Sequence, residues 1–183
     1  MRLGILATLL GGKVRLWFQD ESRFGLAPRR GKKITARGVK PVVKVVHQYE
    51  WLWLYGAVEP ASGDHFFMEY SNLNTACFQS YLDEFSRARP EETHIMVLDG
   101  AQAHRTKTLV WPENVVPFYL PSYSPELNPI ERVWQFFKAN LDVEVTNIEA
   151  LRSRTDELAC GLGCEVLASL TQYPYIMQAQ NSI

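Results

Sequence analysis

Two aspartates end apolar, β-favouring runs, and their placement suggests chemistry before any fold is considered. Asp20 closes VRLWFQD, where it continues the alternating row of Val14, Leu16 and Phe18, and Asp99 closes HIMVLD. We expect both carboxylates at the carboxyl ends of strands, the edge at which open α/β sheets bind ligands. If the strands are neighbours, the two charges repel unless a proton or a cation lies between them. Hard oxygen ligands select Mg²⁺ or Mn²⁺, so the pair predicts a divalent metal site.

A third acid, Glu131, lies in the segment LPSYSPELNPIERVWQFFK. Asn128 is a favourable helix N-cap and Pro129 suits the first helical position, which puts Glu131 in the first turn. An apolar stripe at helical spacing predicts that this helix packs on the sheet; its members are Ile130, Val133, Trp134, Phe137 and Leu141. An asparagine cap with a glutamate three residues later is also a capping-box pattern, worth about 1 kcal/mol without catalysis. This segment alone leaves metal ligand and helix cap as equal interpretations.

The two aspartates also have structural interpretations. Asp20 could pair with Arg23, and Asp99 could accept a hydrogen bond from its own backbone in a turn before Gly100. Glu21 points to the opposite strand face from Asp20, and we expect it to be a structural ion-pair partner. Three acids at two strand ends and one helix start together favour a shared site.

The elements that must position these acids can be located from hydrophobic periodicity and turn residues. Apolar, β-favouring runs predict strands from residue 14, at 42–48, 51–58 and 64–70, in HIMVLDG and in NVVPFYL. Helical spacing predicts helices at 74–87, capped by Asn74, at 128–141 and over 147–170. Strands come first and then alternate with helices, which predicts a mixed sheet with helices on both faces.

Basic and aromatic residues offer further contacts for a ligand. An exposed loop or hairpin over 27–41 either binds phosphates or is a solvated surface; its basic residues are Arg29, Arg30, Lys32, Lys33 and Arg37. His104 either contacts phosphate or is a hydrogen-bonded structural residue, which we favour. Trp51, Trp53 and Tyr55 share one strand face, where core packing is favoured over stacking on bases.

Composition limits the classes of function. The 183 residues suit one domain, and 46% hydrophobic with 21% charged residues is typical of a soluble globular protein. A net charge of −1 argues against a DNA-coating protein. Cys77, Cys160 and Cys164 do not have zinc-site spacing, which favours free, partly buried thiols in a reducing cytoplasm. No apolar run is long enough to span a membrane.

Three blocks of the sequence closely resemble the catalytic blocks of the DDE transposases. They are DES after the first strand, VLDGAQAH, and LPSYSPELNPIERVW, of which the last is the most specific. The resemblance continues through WLWLYGAVEPASG and YPYIMQA, and so covers nearly the whole chain. It points to the mariner-like branch that includes the bacterial insertion-sequence family numbered six hundred and thirty.

The resemblance implies an α/β, RNase H-like fold with a mixed five-stranded sheet and helices on both faces. It places Asp20, Asp99 and Glu131 in the catalytic, metal-binding positions, where two Mg²⁺ or Mn²⁺ ions about 4 Å apart would act. Such transposases cleave DNA and transfer strands. The implied partners are therefore transposon ends, target DNA, and a second copy or a full-length transposase.

We expect a single domain with residues 1–13 as a remnant or linker, 14–141 as the catalytic core and 142–183 as a C-terminal helical extension. Transposases of this branch carry a helix-turn-helix region before the catalytic domain, and we expect it to be absent here. Two further hypotheses remain open. One is a related RNase H-like nuclease that cuts without joining, and the other is a catalytically silent transposase remnant.

Overall fold

The structure, a computed structural model, describes residues 13–26, 36–40, 49–100, 106, 108–121, 124–141, 145 and 147–181. The strand predicted at 42–48 lies outside these ranges, as do residues 1–12 of the predicted N-terminal remnant. The division of the chain into a core and an extension stays a prediction.

A mixed five-stranded sheet in the order β3-β2-β1-β4-β5 forms the centre of the structure. β1 (Val14–Gly25) pairs antiparallel with β2 (Trp51–Glu59), which pairs antiparallel with β3 (Asp64–Tyr70). On its other side β1 is parallel to β4 (Thr93–Leu98), and β4 is parallel to β5 (Val115–Tyr119). The predicted mixed five-stranded sheet is confirmed.

Helices cover both faces of the sheet, as the order of elements predicts. Helix α1 (Thr75–Ala88) buries Phe78, Tyr81, Leu82 and Phe85 on one face, here called the α1 face. The opposite, α2 face is covered by α2 (Ile130–Asn140), α3 (Ile148–Gly161), α4 (Cys164–Thr171) and α5 (Pro174–Asn181). Within the described ranges, no helix is both long and apolar enough to cross a bilayer.

Capping side chains explain where two of the helices begin. The Asn74 side chain accepts a hydrogen bond from the Cys77 N–H at 2.9 Å, which confirms the predicted cap of α1. Asn147 does the same for α3, accepting from Ala150 N at 2.8 Å. The helical region predicted over 147–170 is confirmed and consists of two helices, because α3 ends at Gly161 and α4 begins at Cys164. Glycine disfavours the helical interior by about 1 kcal/mol, which favours this break.

Strand β1 is longer than the sequence predicts, and this changes the position of Asp20. Its antiparallel pairing with β2 runs from Phe18, opposite Val58, to Gly25, opposite Trp51. Asp20 therefore lies within the strand and not at its end. The backbone hydrogen bonds to β2 continue β1 past the carboxyl end of its parallel neighbour β4.

Ion pairs hold the amino end of β1. Arg15 contacts Glu59, Asp64 at 2.9 Å and Glu92 at 3.1 Å, while Arg89 contacts Asp64 at 3.0 Å. The two guanidinium carbons lie 4.8 and 4.6 Å from the centroid of the Trp17 ring. Each of these carboxylates therefore has a cation beside it, and the pairs tie β1 to β3 and to the chain before β4.

Gly63 in the β2–β3 turn is required by both conformation and space. Its φ is +73°, and a Cβ built there would lie 1.8 Å from the Cys164 carbonyl oxygen. We expect Gly63→Ala to lower the free energy of unfolding by about 2–4 kcal/mol, because the turn and the start of α4 must move apart. Urea unfolding followed by circular dichroism measures the loss.

Gly161→Ala is the matched control for this substitution. A Cβ at Gly161 meets nothing within 4 Å, and alanine favours a helix by up to about 1 kcal/mol over glycine. Its stability should be unchanged or raised. An equal loss in both variants would contradict the close-approach explanation.

Candidate active site

Asp20 lies within β1, and Asp99 directly follows β4, the parallel neighbour of β1. The parallel register of β1 and β4 has a constant offset of 79 positions (97 − 18 = 79), from Val14 opposite Thr93 to Phe18 opposite Val97. The same offset, continued two residues beyond this pairing, would match Asp20 with Asp99. Because Phe18 packs on the α2 face, the alternation of side chains along β1 directs Asp20 to that face.

Trp134 of α2 is the hydrogen-bond donor to Asp20. Its Nε1–H donates to Asp20 Oδ2 at 2.8 Å, while the indole ring is buried in the core of the α2 face. The residue opposite Asp20 on β2 is Gly56, where a Cβ would lie 2.6 Å from Trp134 Cη2 and 2.7 Å from the Phe67 ring. Glycine at this position therefore leaves room for the indole beside the carboxylate.

Asn128 fixes the start of α2 against β1. Its side-chain amide donates to the Gln19 carbonyl oxygen at 3.0 Å, and its Oδ1 accepts from Ile130 N at 3.4 Å. The side chain is buried, so both hydrogen bonds are shielded from water. Asn128 thus acts as a clamp between helix and strand, a role that its prediction as a simple N-cap missed.

Glu131 lies in the first turn of α2, as predicted, but not in a capping box. In a capping box the glutamate side chain would accept a hydrogen bond from the Asn128 backbone N–H. That N–H instead donates to the Pro125 carbonyl oxygen at 2.9 Å. Among the described residues, no hydrogen bond or ion pair holds the half-buried Glu131 carboxylate. Its charge nevertheless acts on Asp20, so the two carboxylates are electrostatic neighbours. This geometry favours the ligand interpretation of Glu131.

The pKa of Asp20 rises to about 7 in this environment. Burial is the largest cause, followed by the negative charges of Glu21 and Glu131, while the Trp134 hydrogen bond acts in the opposite direction. In the described part of the chain, no lysine or arginine forms an ion pair with Asp20. Arg23, the alternative partner, lies instead with its guanidinium 5.6 and 6.0 Å from the rings of Trp51 and Trp53.

These carboxylates fit a hard divalent cation by their chemistry. Asp20 is partly buried, and its desolvation and two acidic neighbours oppose its ionisation, so a cation there would relieve both desolvation and repulsion. Across the described ranges, however, no three His, Cys, Asp or Glu side chains are close enough to form a ready metal site. The side chain of Asp99 is exposed, and that of Glu131 is half-buried.

The other residues singled out from sequence divide into four groups. Arg29, Arg30, Lys32, Lys33 and His104 lie outside the described residues, and Arg37 is exposed. Glu21 accepts a hydrogen bond from Gln19 Nε2 at 2.9 Å. The cysteines are free, but Cys160 and Cys164 are exposed and not partly buried. Tyr55 is fully buried and Trp53 partly so, as core packing predicts, whereas Trp51 is 47% exposed.

The family model described as DDE superfamily endonuclease matches residues 15–152. The chain belongs to this family. The matched range contains Asp20, Asp99 and Glu131, and the resemblance to DDE transposases is confirmed.

Two curated proteins are similar to this DDE-family chain, and the second of them is an insertion-element protein. It is 37% identical over 91 residues to the uncharacterized protein y4pE/y4sA of Sinorhizobium fredii, covering 49% of this chain and 67% of that protein. It is 28% identical over 125 residues to an uncharacterized 39 kDa protein of insertion element IS630 from Shigella sonnei, covering 66% of this chain and 36% of that protein. The chain thus spans about a third of the IS630 protein's length.

Solved structures of the Mos1 transposase share the fold of this DDE-family chain. The Mos1 strand transfer complex matches with a TM-score of 0.64 and 18% identity, over 98% of this chain and 57% of that one. The mariner Mos1 paired-end complex with Mg matches with a TM-score of 0.66 and 20% identity, over 92% and 53%. The predicted RNase H-like fold is confirmed, and this chain spans just over half the length of those chains.

Removal of the Asp20 charge should stabilise the chain in a chelator. Its pKa is higher in the folded chain than the ordinary value, so ionisation lowers stability increasingly as the pH rises from about 4 to about 7. We expect Asp20→Asn, which keeps an oxygen for the Trp134 donor, to raise Tm by about 3–8 °C at pH 8. The gain should shrink towards pH 5.

Thermal unfolding at several pH values measures this difference. Asp83→Asn removes an exposed charge on α1 and should change Tm little at any pH. An Asp20→Asn variant no more stable than the wild type at pH 8 would show that the buried charge carries no penalty.

Proposed function

We propose that this chain is the catalytic domain of a transposase that cleaves DNA and transfers the resulting strand, using divalent metal held by Asp20, Asp99 and Glu131. The observation that carries the proposal is that Asp20 lies on the face of β1 covered by α2, whose first turn supplies Glu131, while Asp99 directly follows the parallel neighbour strand β4. Membership of the DDE superfamily endonucleases supports the same chemistry. The proposed substrates are the ends of an insertion element and its target DNA.

Two of the three acids have a distinct structural support in this proposal. Asp20 is held on one side by the β2 backbone and on the other by the Trp134 N–H. Glu131 is held by the first turn of a helix that Asn128 clamps to the strand. Preorganised ligands of this kind lose little conformational entropy when they bind a cation.

We propose two bound Mg²⁺ or Mn²⁺ ions. When bound, such ions lower the pKa of an attacking hydroxyl and stabilise the leaving oxygen during displacement at phosphorus. The protein's own contribution would be to hold the three carboxylates, and the Trp134 hydrogen bond partly opposes the rise in the pKa of Asp20. The structure of the Mos1 paired-end complex with Mg is a precedent for a divalent ion in this fold.

The three-acid site predicts metal-dependent nicking of supercoiled plasmid. The wild-type chain should nick in Mn²⁺ and not in a chelator, and Asp99→Asn and Glu131→Gln should each lower the rate by about 100-fold or more, because each removes a charged ligand. Gel electrophoresis of the relaxed product over time gives the rates.

Matched controls separate the site from general charge loss. Glu126→Gln lies in the turn just before α2, and Asp156→Asn lies on the exposed side of α3, so both should nick like the wild type. Full activity of folded Glu131→Gln would return Glu131 to a structural role. A folded wild type without any nicking would favour the silent-remnant hypothesis.

A second arm of the same experiment distinguishes joining from cutting alone. A labelled DNA with a free 3′-hydroxyl end is incubated with unlabelled plasmid and Mn²⁺. Label transferred to the plasmid supports strand transfer, whereas nicking without transfer supports the alternative of an RNase H-like nuclease that only cuts. Transfer that requires a second copy or a full-length transposase would appear on adding that protein.

Trp134→Phe tests the support of Asp20 without removing any proposed ligand. Phenylalanine keeps an aromatic ring in the core but lacks the N–H that donates to Asp20 Oδ2. We expect metal-dependent nicking to fall by about 10–100-fold, as for other residues that orient metal ligands. Trp111→Phe, on the α1 face, is the control and should leave the rate unchanged. Equal nicking rates for Trp134→Phe and Trp111→Phe would show that the hydrogen bond to Asp20 does not contribute to nicking.

A further inference from the structure

Arg132, next to Glu131 in the sequence, is an exposed cation at the start of α2. Its Nε–H donates to the Tyr173 hydroxyl at 3.1 Å, and its guanidinium carbon lies 5.8 Å from the centroid of the Tyr173 ring. One residue of the site-bearing helix is therefore linked to the chain just before α5.

The contacts continue from Tyr173 back to the turn that precedes α2. The rings of Tyr173 and Tyr175 stack with centroids 5.5 Å apart and planes inclined by 15°. The Tyr175 hydroxyl donates towards the carbonyl oxygens of Glu126 at 3.4 Å and Leu127 at 3.2 Å. The two stacked tyrosines, here called the tyrosine bracket, therefore contact the Arg132 side chain through Tyr173 and the backbone before α2 through Tyr175.

Arg132 differs from most other arginines of the described ranges in its charge environment. Carboxylates lie within 4.0 Å of five of them, namely Arg15, Arg87, Arg89, Arg152 and Arg154. In the same ranges Arg132 contacts only the tyrosine hydroxyl and ring, so its two terminal nitrogens have no anion. A guanidinium that is fixed in place but unneutralised has donors available for an external anion.

We propose that Arg132 binds a backbone phosphate of the DNA substrate beside the scissile phosphate, with the stacked pair of Tyr173 and Tyr175 holding the guanidinium in place. The inference rests on the proposed function, because the anion is the DNA that the neighbouring acids would act upon. Three carboxylates repel a phosphodiester, and a cation one residue from Glu131 offsets that repulsion where the strand enters the site. The tyrosine bracket reduces the side-chain entropy lost on binding.

Salt dependence of DNA binding measures this contact directly. A fluorescein-labelled duplex is titrated in chelator, so that it stays intact, and Kd is measured between about 50 and 200 mM salt. Arg132→Ala should weaken binding by about 5–10-fold and reduce the slope of log Kd against log salt by about 1, the change for one lost phosphate contact.

Three further variants distinguish phosphate binding from a purely structural role. Arg132→Lys keeps the charge and should keep the slope, with an intermediate Kd. Tyr173→Phe loses the hydrogen bond to Arg132 but keeps the ring, so Kd should rise about 2–3-fold at an unchanged slope. Arg87→Ala removes an exposed, ion-paired arginine from α1 and should change neither Kd nor the slope of log Kd against log salt.

The results separate failure of this inference from failure of the proposed function. If the wild type nicks plasmid but Arg132→Ala has the same salt slope and Kd as Arg87→Ala, the phosphate contact is wrong and the function stands. If Arg132→Ala lowers Tm but leaves the slope of log Kd against log salt unchanged, the role of Arg132 is structural and the inference is overturned. If the wild type neither nicks nor binds the duplex, both proposals fail.

Discussion

The hydrogen bond from Trp134 to Asp20 is the interaction on which the site depends. It joins residues 114 positions apart and ties α2 to the central strand at the level of the candidate acids. The indole can take this position because Gly56 has no side chain, and the ring occupies the space that a Cβ would need. Asn128 adds a second, buried link to the adjacent Gln19 carbonyl, so α2 cannot rotate without breaking both bonds.

Charge is distributed unequally along β1. At the amino end, Glu59 and Asp64 are paired with Arg15 and Arg89, and the cost of partly burying these carboxylates is offset by cations of the same chain. At Asp20 the charged neighbours are Glu21 and Glu131, so within the described ranges no cation of the chain offsets the cost of burying its charge. An unbalanced cluster of this kind lowers stability, and sites with such clusters are where proteins bind cations or perform chemistry.

The sequence predicted most of the sheet, because alternating and continuous apolar runs have few other solutions in a chain of this length. It located Asp20, Asp99 and Glu131, but it ended β1 too early. Local residues could not reveal that antiparallel pairing with β2 extends the strand to Gly25. Trp134 was assigned to the apolar stripe alone, although a buried indole N–H needs an acceptor, and that requirement could have led to Asp20.

The extension of β1 past β4 explains how Asp20 can be both fixed and accessible. On one edge the antiparallel ladder continues through Asp20 to Gly25, so the backbone there is as rigid as the rest of the sheet. On the other edge β4 ends at Leu98, and the chain that carries Asp99 leaves the ladder. The Asp20 side chain therefore lies beside the end of a parallel strand, and Asp20 itself does not belong to a loop. A carboxylate on a continuous strand keeps its direction, whereas one at a strand end depends on the turn that follows. Asp20 is thus the fixed member of the proposed set, whereas the direction of Asp99 depends on the chain that follows β4.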